Sequence, residues 1–367
     1  MEIPSAFINL SPGCWRRSAD VGRLLCGPAF PADFGVMNLP LPRTTGEAFP
    51  ASIEFFHSFR GKGARRSSVE ARQVGSKAKE LLALPEFAGR VLAVLSGTIY
   101  LSAQNGEILW ICPEGSPLHR RGILVSRLPL VIPGEKCFVE FPGLTFGGGP
   151  SVVFEGAMEW KAFRPELEDG ASLVNVRARF RQLLAVLGVL EIPDGLGPSI
   201  YLVSALAGGR ALPSFPPGSL MERVKDRIWD LAQDCRRQDL RSVTLRGREV
   251  AGLGPGLTPS GDDFLGGLFF AAHFLRRAYP TTFPRAEADV CGLLDWARTR
   301  THPISYAIFS DLVMGHGPEP LHELAGILLR GKENPFPAVN AAVRLTRIGH
   351  SSGWDMLAGF LAGMLMV

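Results

Sequence analysis

Residues 254–267 read Gly254-Pro255-Gly256-Leu257-Thr258-Pro259-Ser260-Gly261-Asp262-Asp263-Phe264-Leu265-Gly266-Gly267. The glycines and prolines at the start of this stretch indicate a loop, because they disfavour a helix there. Thr258 or Ser260 can cap a following helix, whose first turn holds two carboxylates that suit the helix dipole. Apolar residues continue at helical spacing as far as Leu275, so the stretch predicts a buried helix with a rigid polar N-terminus.

The same pattern recurs near the C-terminus. Residues 350–359 read His350-Ser351-Ser352-Gly353-Trp354-Asp355-Met356-Leu357-Ala358-Gly359 and align without a gap with residues 258–267. Both segments contain Ser-Gly-x-Asp followed by apolar-Leu-x-Gly, which we call motif 1 (residues 258–267) and motif 2 (residues 350–359). Two buried helices that begin alike predict a duplicated substructure whose N-terminal ends face one another. The alternative is that two helices share good capping residues by chance.

A strand-rich region precedes the motifs. Between residues 90 and 155, short runs rich in Val, Ile, Leu, Phe and Tyr are separated by Gly, Pro and Asn. Asn105-Gly106 lies between two of these runs and is a strong hairpin signal. Closely spaced strands without intervening helices predict an antiparallel sheet, either a barrel or a sandwich, largely within residues 88–160. Before it, a capping box formed by Ser67 and Glu70 predicts an amphipathic helix that ends before Pro85.

From about residue 167 onward, the apolar residues recur with the period of a helix. Both motifs lie in this part of the chain, where no strand pattern is evident. The length of 367 residues favours two domains. We therefore predict an α+β protein, with an N-terminal antiparallel β barrel or sandwich in a β-rich domain over residues 1–166. A mostly α-helical domain over residues 167–367 follows and carries both motifs.

The composition is that of a well-buried globular protein, with 46% hydrophobic and 20% charged residues. The net charge of +4 is small for this length, and the one dense basic run is Arg60-Gly61-Lys62-Gly63-Ala64-Arg65-Arg66. No aromatic residue interrupts that run, so we interpret it as a solvated loop, with anion binding as the alternative. Nucleic acid is not expected as a partner.

Cysteine usage and hydropathy favour the cytoplasm. The six cysteines are scattered, without a Cys-x-x-Cys pair, which indicates reduced thiols and no zinc site. The first residues lack the basic and apolar regions of a signal peptide. The most apolar runs, Phe264–Leu275 and Met356–Val367, are too short to span a bilayer. We expect a soluble cytoplasmic protein with no membrane partner.

Three familiar catalytic or nucleotide-binding patterns are excluded by their context. Residues 349–353 satisfy the Gly-x-Ser-x-Gly string of a serine hydrolase, but a helix is predicted before them and no histidine follows His350. The glycine-rich stretch at residues 252–261 has neither the lysine of a phosphate-binding Walker loop nor the spacing of a dinucleotide fingerprint. No histidine pair has the spacing of a zinc protease, and no organic cofactor is indicated.

The polar N-terminal ends of the two motif helices are the predicted ligand site. Helix N-termini bind anions, whereas Asp263 and Asp355 oppose a bare anion, so Mg²⁺ or another divalent cation between the carboxylates and a small-molecule anion would satisfy both. The alternative is that each aspartate only caps its own helix. The predicted ligand-binding residues are Gly256, Thr258, Ser260, Gly261, Asp262, Asp263, Ser305, His350, Ser351, Ser352, Gly353 and Asp355, with Asp263 and Asp355 as metal ligands.

Residues 254–263 and 349–355 together resemble the signature of a bacterial family of unknown function that includes AllH, a subunit of oxamate carbamoyltransferase in allantoin degradation. The resemblance implies a β-rich first half and a helical second half. It also implies reversible carbamoyl transfer between oxalurate and phosphate, which gives oxamate and carbamoyl phosphate. Partner subunits are implied as well, one of them similar to succinyl-CoA synthetase, whereas no catalytic residue is assigned.

Two functional hypotheses follow from these observations. In the first, the chain is an enzyme subunit whose paired helix ends bind phosphate or carbamoyl phosphate, with Mg²⁺ as a candidate cofactor. In the second, it is a non-catalytic scaffold that docks other subunits of a metabolic enzyme complex, and the motifs only hold a duplicated core together.

Overall fold

The computed structural model describes residues 68–84, 87–140, 142–147, 149–162, 172–188, 190–208, 212, 214–283, 287–331 and 336–367. These residues form a β-barrel followed by a helical region, which confirms the α+β fold class predicted from the sequence. The basic run at residues 60–66 and the predicted domain boundary between residues 166 and 167 lie outside the described residues.

The barrel is built from short strands in the first part of the described chain. They are β1 (Ser68–Gly75), β2 (Ala88–Val94), β3 (Ile99–Ala103), β4 (Ile108–Pro113), β5 (Gly122–Val125), β6 (Lys136–Glu140), β7 (Gly143–Phe146), β8 (Ser151–Val153) and β9 (Met158–Trp160). Their order is β5-β4-β3-β2-β6-β7-β8-β1-β9, and a pairing between β1 and β5 closes the first eight into a barrel. β9 pairs with β1 through residues 73–75, next to residues 68–70, which pair with β8.

Strand pairing in the barrel is mixed rather than antiparallel throughout. β4 with β5, and β1 with β8 and with β9, are parallel, whereas the other pairs are antiparallel. The hairpin predicted at Asn105-Gly106 joins β3 and β4 as expected. The parallel pair β4–β5 arises because residues 114–121 carry the chain back to the start of β4 instead of turning directly.

The helix predicted from the capping box at Ser67 is wrong in its first half. Residues 68–75 form β1, and only Ser76–Leu82 form a helix, α1. Val69 and Ala71 are buried while the residues between and beside them are exposed, which is the two-residue period of a strand. Pairing of β1 on both of its edges therefore outweighs the local capping signal.

The remainder of the described chain contains helices and no further strand, as predicted. The α-helices are α2 (Leu173–Leu187), α3 (Ile200–Leu206), α4 (Leu220–Arg236), α5 (Leu240–Val250), α6 (Ser260–Ala278), α7 (Glu287–Arg298), α8 (Pro303–Val313), α9 (Glu319–Arg330), α10 (Phe336–Thr346) and α11 (Ser352–Gly363). None of the helices in the described part of the chain combines the length and the apolar character that a membrane span requires.

The two motif helices, α6 and α11, lie side by side in the same direction at the centre of the helical core. A Cβ atom at Gly267 would lie 2.0 Å from the carbonyl oxygen of Met356, and one at Gly359 would lie 1.7 Å from that of Phe264. Phe264 and Gly267 of motif 1 are the counterparts of Met356 and Gly359 of motif 2, so the two contacts are equivalent. The helices are therefore related by a local two-fold pseudosymmetry, with glycine at each close approach.

A shorter helix precedes each motif helix in the chain, and the first turn of the motif helix packs against the end of that shorter helix. A Cβ atom at Gly261 would lie 1.9 Å from the carbonyl oxygen of Val250 at the end of α5, and one at Gly353 would lie 2.1 Å from that of Leu345 near the end of α10. The repeated unit is thus a helix, a loop and a motif helix. The duplication predicted from the sequence extends to this whole unit.

The barrel and the helices are joined across one face of the sheet, and residues 68–367 form one compact unit. The outer sides of β3 and β4, including Trp110, contact Ile304 of α8 and Leu257 of the loop before α6. Beside this apolar contact, Arg121, the residue immediately before β5, donates two hydrogen bonds to Asp311 of α8, at 2.6 and 2.9 Å. The barrel therefore packs directly against the loop that leads into motif 1.

Candidate functional site

The N-terminal ends of the two motif helices meet. Thr258 Oγ1 and Ser352 Oγ lie 2.9 Å apart and share a hydrogen bond. The parallel course of α6 and α11 places both sets of free backbone N–H groups at the same end of the helix pair. The structure thus brings together two regions that are about ninety residues apart in sequence.

The serine of each motif interacts with the aspartate of the other motif, an arrangement that we call the serine exchange. The hydroxyl of Ser352, in motif 2, hydrogen-bonds Asp263 of motif 1. The hydroxyl of Ser260, in motif 1, lies beside Asp355 of motif 2 and favours its charged form. Because Ser260 corresponds to Ser352 and Asp263 to Asp355, each motif supplies its serine to the carboxylate of the other. This exchange follows the same pseudosymmetry as the glycine contacts.

Asp263 is buried, with only 2% of the residue exposed. Within the described residues, its Oδ2 atom is buried and has no hydrogen-bond partner. Burial raises the pKa of Asp263 well above its ordinary value, and the nearby charges of Asp355 and Asp262 raise this pKa further. The hydrogen bond from Ser352 acts in the opposite direction. Asp263 therefore has one acceptor atom for which the described protein supplies no donor.

Asp355 is fully buried but is better supplied with donors. Its Oδ1 atom accepts hydrogen bonds from the backbone N–H groups of Leu196, at 2.6 Å, and Gly197, at 2.8 Å. Burial raises the pKa of Asp355 to about 6, while the backbone donors and the hydroxyls of Ser260 and Ser351 limit the rise. Its Oδ2 atom has no hydrogen-bond partner within the described residues. Each motif thus contributes one buried, unpartnered carboxylate oxygen.

The segment that supports Asp355 was not predicted from the sequence. Gly195 has φ +137°, and a Cβ atom there would lie 2.7 Å from Asp355 Oδ1, so only glycine fits beside this carboxylate. The signal was present as a short repeat, because residues 195–198 read Gly-Leu-Gly-Pro, as do residues 252–255 ahead of motif 1. In both places the repeated string precedes a helix and contacts an aspartate of one of the motifs.

Asp262 and Ser305, both predicted as ligand-binding residues, bond to each other. Asp262 Oδ2 accepts a hydrogen bond from Ser305 Oγ at 2.6 Å and another from the hydroxyl of Thr301. Asp262 Oδ1 accepts one from the backbone N–H of Gly252 at 2.7 Å. Both oxygens are therefore occupied, and the side chain ties the loop before α6 to the start of α8.

The other predicted residues differ in their accessibility. Gly261 and Gly353 are buried at the backbone contacts with α5 and α10. Gly256, with φ +91°, and His350 are exposed at the rim, and Ser351 is half-buried beside Asp355. The polar groups that meet between the two motifs are the hydroxyls of Thr258, Ser260 and Ser352 and the carboxylates of Asp263 and Asp355.

One barrel residue missed by the sequence analysis belongs to these surroundings. Tyr100 on β3 is half-buried and packs edge-to-face on Trp110 of β4, with 6.0 Å between the ring centroids. Burial raises the pKa of its phenol above the ordinary value, and Cys112 and Asp263 add to the rise. Tyr100 lies 163 positions before Asp263 in the chain, so no sequence spacing indicates that the two are close.

Possible metal ligands in the described part of the chain are few. No group of three or more histidine, cysteine, aspartate or glutamate side chains there could hold a metal ion. Asp263 and Asp355 supply two carboxylates, with serine and threonine hydroxyls around them. Mg²⁺ is commonly held by one or two carboxylates, and water and substrate oxygens supply its other ligands. The two carboxylates here therefore fit a hard cation whose remaining ligands come from water and a substrate.

Residues 250–364 match the model of a protein family described as oxamate carbamoyltransferase subunit AllH. The matched region begins at the end of α5 and contains both motifs and α11. The family resemblance predicted from the motifs is therefore confirmed over this part of the chain. No solved structure matches the chain.

Proposed function

From the family match and the paired motifs, we propose that this chain is a subunit of an oxamate-carbamoyltransferase-like enzyme. Its motifs bind a phosphate- or carboxylate-bearing small molecule together with Mg²⁺ or another divalent cation. Other enzyme subunits complete the activity, because the matching family is described as a subunit. A reducing cytoplasmic setting is part of the proposal, and the free state of Cys112, Cys137, Cys235 and Cys291 supports it.

The observation that carries this proposal is the pair of buried carboxylate oxygens without partners, Asp263 Oδ2 and Asp355 Oδ2. An unpartnered buried acceptor costs free energy unless some group outside the described contacts satisfies it. Here two such acceptors occur at equivalent positions of two motifs that are in direct contact. A single ligand atom between the motifs would satisfy both.

The charges at this position favour a cation and an anion together. Each helix N-terminus contributes about half a positive charge, so the pair offsets about one of the two negative charges of the ionised aspartates. A divalent cation leaves the site with a net positive charge, which then attracts an oxyanion. Phosphate and oxalurate, the two substrates implied by the family resemblance, are both oxyanions, and the bound cation would polarise their oxygens as a Lewis acid.

The residues of the chain have distinct roles in this proposal. Asp263 and Asp355 hold the cation, and the hydroxyls of Ser260 and Ser352 orient these carboxylates. Backbone N–H groups at the starts of α6 and α11 bind the anion. Asp262 keeps the loop of motif 1 in position through its bonds to α8. The carbamoyl transfer itself moves the carbamoyl carbon from the oxamate nitrogen to a phosphate oxygen, with a proton returned to that nitrogen.

The scaffold hypothesis is favoured by a different observation. Burial raises the pKa of Asp263 well above its ordinary value, and a protonated Asp263 would remove the repulsion between the two carboxylates without any cation. The close packing of α6 on α11 would then be the whole purpose of the motifs. In that case the chain would hold partner subunits and bind no small molecule.

Isothermal titration calorimetry of the purified chain separates the two hypotheses. The titrants are Mg²⁺, inorganic phosphate and carbamoyl phosphate, with each anion tested in the presence and in the absence of Mg²⁺. We expect anion binding that requires Mg²⁺ and that Asp263→Asn weakens at least tenfold. Asp226→Asn is the matched control, because Asp226 is exposed on α4. Absence of binding by the wild-type chain, with or without Mg²⁺, would overturn the proposed site and support the scaffold.

A further inference from the structure

Leu257 packs the loop before α6 against the junction between the barrel and α8. It is half-buried and contacts an apolar cluster that contains residues from both sides of the junction. The buried members of the cluster are Ile108, Trp110, Cys112, Leu124, Ile304 and Ala307. Leu257 immediately precedes Thr258, which shares a hydrogen bond with Ser352 of motif 2. An apolar contact with the barrel junction therefore lies next to the polar contact between the motifs.

The residues just before Leu257 are costly to order. Gly254 and Gly256 have φ +111° and +91°, and Pro255 and Gly256 are exposed. Glycine loses more conformational freedom on folding than any other residue, so fixing this stretch in one conformation costs free energy. The packing of Leu257 offsets part of this cost, because it removes apolar surface from water. Leu257 thus anchors the end of the loop.

A short series of contacts leads from Leu257 to the carboxylate of motif 1. Thr258 is the next residue in the chain, and its Oγ1 atom lies 2.9 Å from Ser352 Oγ. The hydroxyl of Ser352 in turn hydrogen-bonds Asp263. Consecutive Cα atoms are only about 3.8 Å apart, so a shift of Leu257 also moves Thr258 and disturbs this series. The barrel junction is connected in this way to the polar groups that meet between the motifs.

Motif 2 lacks this anchor. Residues 258–267 align with residues 350–359, so the counterpart of Leu257 is Gly349, which has no side chain to pack. The pseudosymmetric packing of α6 on α11 therefore does not require an apolar side chain at this position. An anchor in motif 1 alone favours a role at the ligand site rather than in holding the helix pair together.

We propose that Leu257 is a positioning residue for the ligand site: its packing at the barrel junction holds Thr258 and the start of α6 in the arrangement that binds the oxyanion. This inference rests on the proposed function, because it assumes an oxyanion bound beside a divalent cation at the motifs. Leu257 itself does not touch the ligand. It lowers the conformational entropy that binding would otherwise have to remove, which is the general benefit of preorganisation.

The test compares phosphate binding by wild type, Leu257→Ala, Leu257→Met and Leu128→Ala, measured by calorimetry in the presence of Mg²⁺. Leu128 is the matched control, because it is also a half-buried leucine of a loop, but it packs against the core of the barrel. Urea denaturation of each variant measures its stability. Leu257→Val, which keeps more of the apolar side chain, takes the place of Leu257→Ala if the alanine variant does not fold.

We expect Leu257→Ala to bind phosphate roughly three- to tenfold more weakly than wild type, because the loop must then be ordered when the ligand binds. Leu257→Met keeps an apolar side chain of similar volume, so its phosphate affinity should stay within about twofold of wild type. Leu128→Ala should also stay within about twofold, although it loses stability, because Leu128 has no contact with the loop before α6 among the described apolar clusters.

The possible outcomes distinguish this inference from the function on which it rests. Equal phosphate affinity in Leu257→Ala and wild type would overturn the role of Leu257 and leave the proposed function standing. An equal loss of affinity in Leu257→Ala and Leu128→Ala would also overturn it, since general destabilisation would then account for both. So would a Leu257→Met variant that binds as weakly as Leu257→Ala, because apolar packing would then not be what matters. Failure of the wild-type chain to bind phosphate with Mg²⁺ would overturn both the inference and the proposed function.

Discussion

The two motifs are alike in sequence but differ in what surrounds their aspartates. Asp355 of motif 2 accepts hydrogen bonds from two backbone N–H groups, of residues 196 and 197, whereas Asp263 of motif 1 accepts one from the hydroxyl of Ser352. Motif 1 also has a second aspartate, Asp262, where motif 2 has a tryptophan. The duplicated frame is therefore symmetric, while its electrostatics are not. Asp355 therefore has more hydrogen-bond donors to support its charge than Asp263 has.

The largest expected effect comes from breaking the frame shared by the motifs. A methyl group at Gly359 would lie 1.7 Å from a backbone carbonyl oxygen, and one at Gly267 would lie 2.0 Å from another, so α6 and α11 must separate to accept alanine. We expect Gly359→Ala and Gly267→Ala each to lower the free energy of unfolding by more than about 3 kcal/mol. Urea denaturation measures this loss.

Gly326→Ala is the control for these two variants. Gly326 lies within α9, and a Cβ atom there would meet nothing within 4 Å. The free energy of unfolding should rise by roughly 0.5–1 kcal/mol, because alanine favours the helix more than glycine does. If Gly359→Ala were harmless while Gly267→Ala was destabilising, the pseudosymmetry of the helix pair would be wrong.

Much of this frame can be predicted from the sequence. The two motif helices, their buried character and their proximity follow from the repeated pattern and from the apolar residues after Asp263 and Asp355. The barrel follows from short strand patterns, although β7 and β9 lack a clear signal because they have only four and three residues. The parallel partners of β1 could not be predicted, since they depend on pairing between segments that are far apart in the chain.

The electrostatic asymmetry of the site could not be predicted for a related reason. Asp355 accepts hydrogen bonds from Leu196 and Gly197, and neither of these two residues lies near either motif in sequence. Asp262 and Asp263 are adjacent and look equivalent in the sequence. Only their direction in the first turn of α6 decides that one is bonded to α8 and the other faces motif 2.

Asp262 provides the next test, because it is the part of motif 1 that motif 2 lacks. Asp262→Ala leaves the N–H of Gly252 and the hydroxyls of Ser305 and Thr301 without their buried acceptor. We expect a loss of about 3 kcal/mol in the free energy of unfolding, since buried donors without partners cost about 1–3 kcal/mol each. Urea denaturation measures it, and a loss below about 1 kcal/mol would show that water replaces these bonds.

The pH dependence of stability sharpens the comparison at Asp355. Its pKa is raised to about 6 in the folded protein, compared with about 3.9 in an unfolded chain, so the folded state holds the proton more tightly. This group therefore contributes stability that is complete below about pH 4 and is lost as the pH rises through about 6. Asp355→Asn removes that dependence while keeping an oxygen for the N–H groups of Leu196 and Gly197.

We expect the free energy of unfolding of Asp355→Asn, relative to wild type, to rise by roughly 2–3 kcal/mol between pH 4 and pH 7, from a shift of about two units at 1.36 kcal/mol each. Urea denaturation at the two pH values, in EDTA to remove divalent cations, measures the difference. Asp226→Asn on the surface of α4 should show no such trend. A constant difference between Asp355→Asn and wild type would mean that Asp355 stays charged in the folded protein without a cation.

The smallest expected effect concerns the one direct bond between the motif loops. Thr258→Val removes the hydroxyl that lies 2.9 Å from Ser352 Oγ and keeps the shape of the side chain. Loss of one such hydrogen bond costs about 1 kcal/mol, so the melting temperature should fall by only a few degrees. Because Ser352 donates its single hydroxyl proton to Asp263, it accepts the hydrogen bond from Thr258, and its own bond to Asp263 is kept in Thr258→Val. Ligand affinity in Thr258→Val should then change less than in Asp263→Asn. Ser352→Ala removes both bonds of Ser352, so it should weaken ligand binding more than Thr258→Val does, as measured by calorimetry with Mg²⁺ and phosphate.

Equal ligand affinities in Thr258→Val and Ser352→Ala would show that Ser352 acts only on Thr258. The exchange of serines between the motifs would then have no part in holding the ligand.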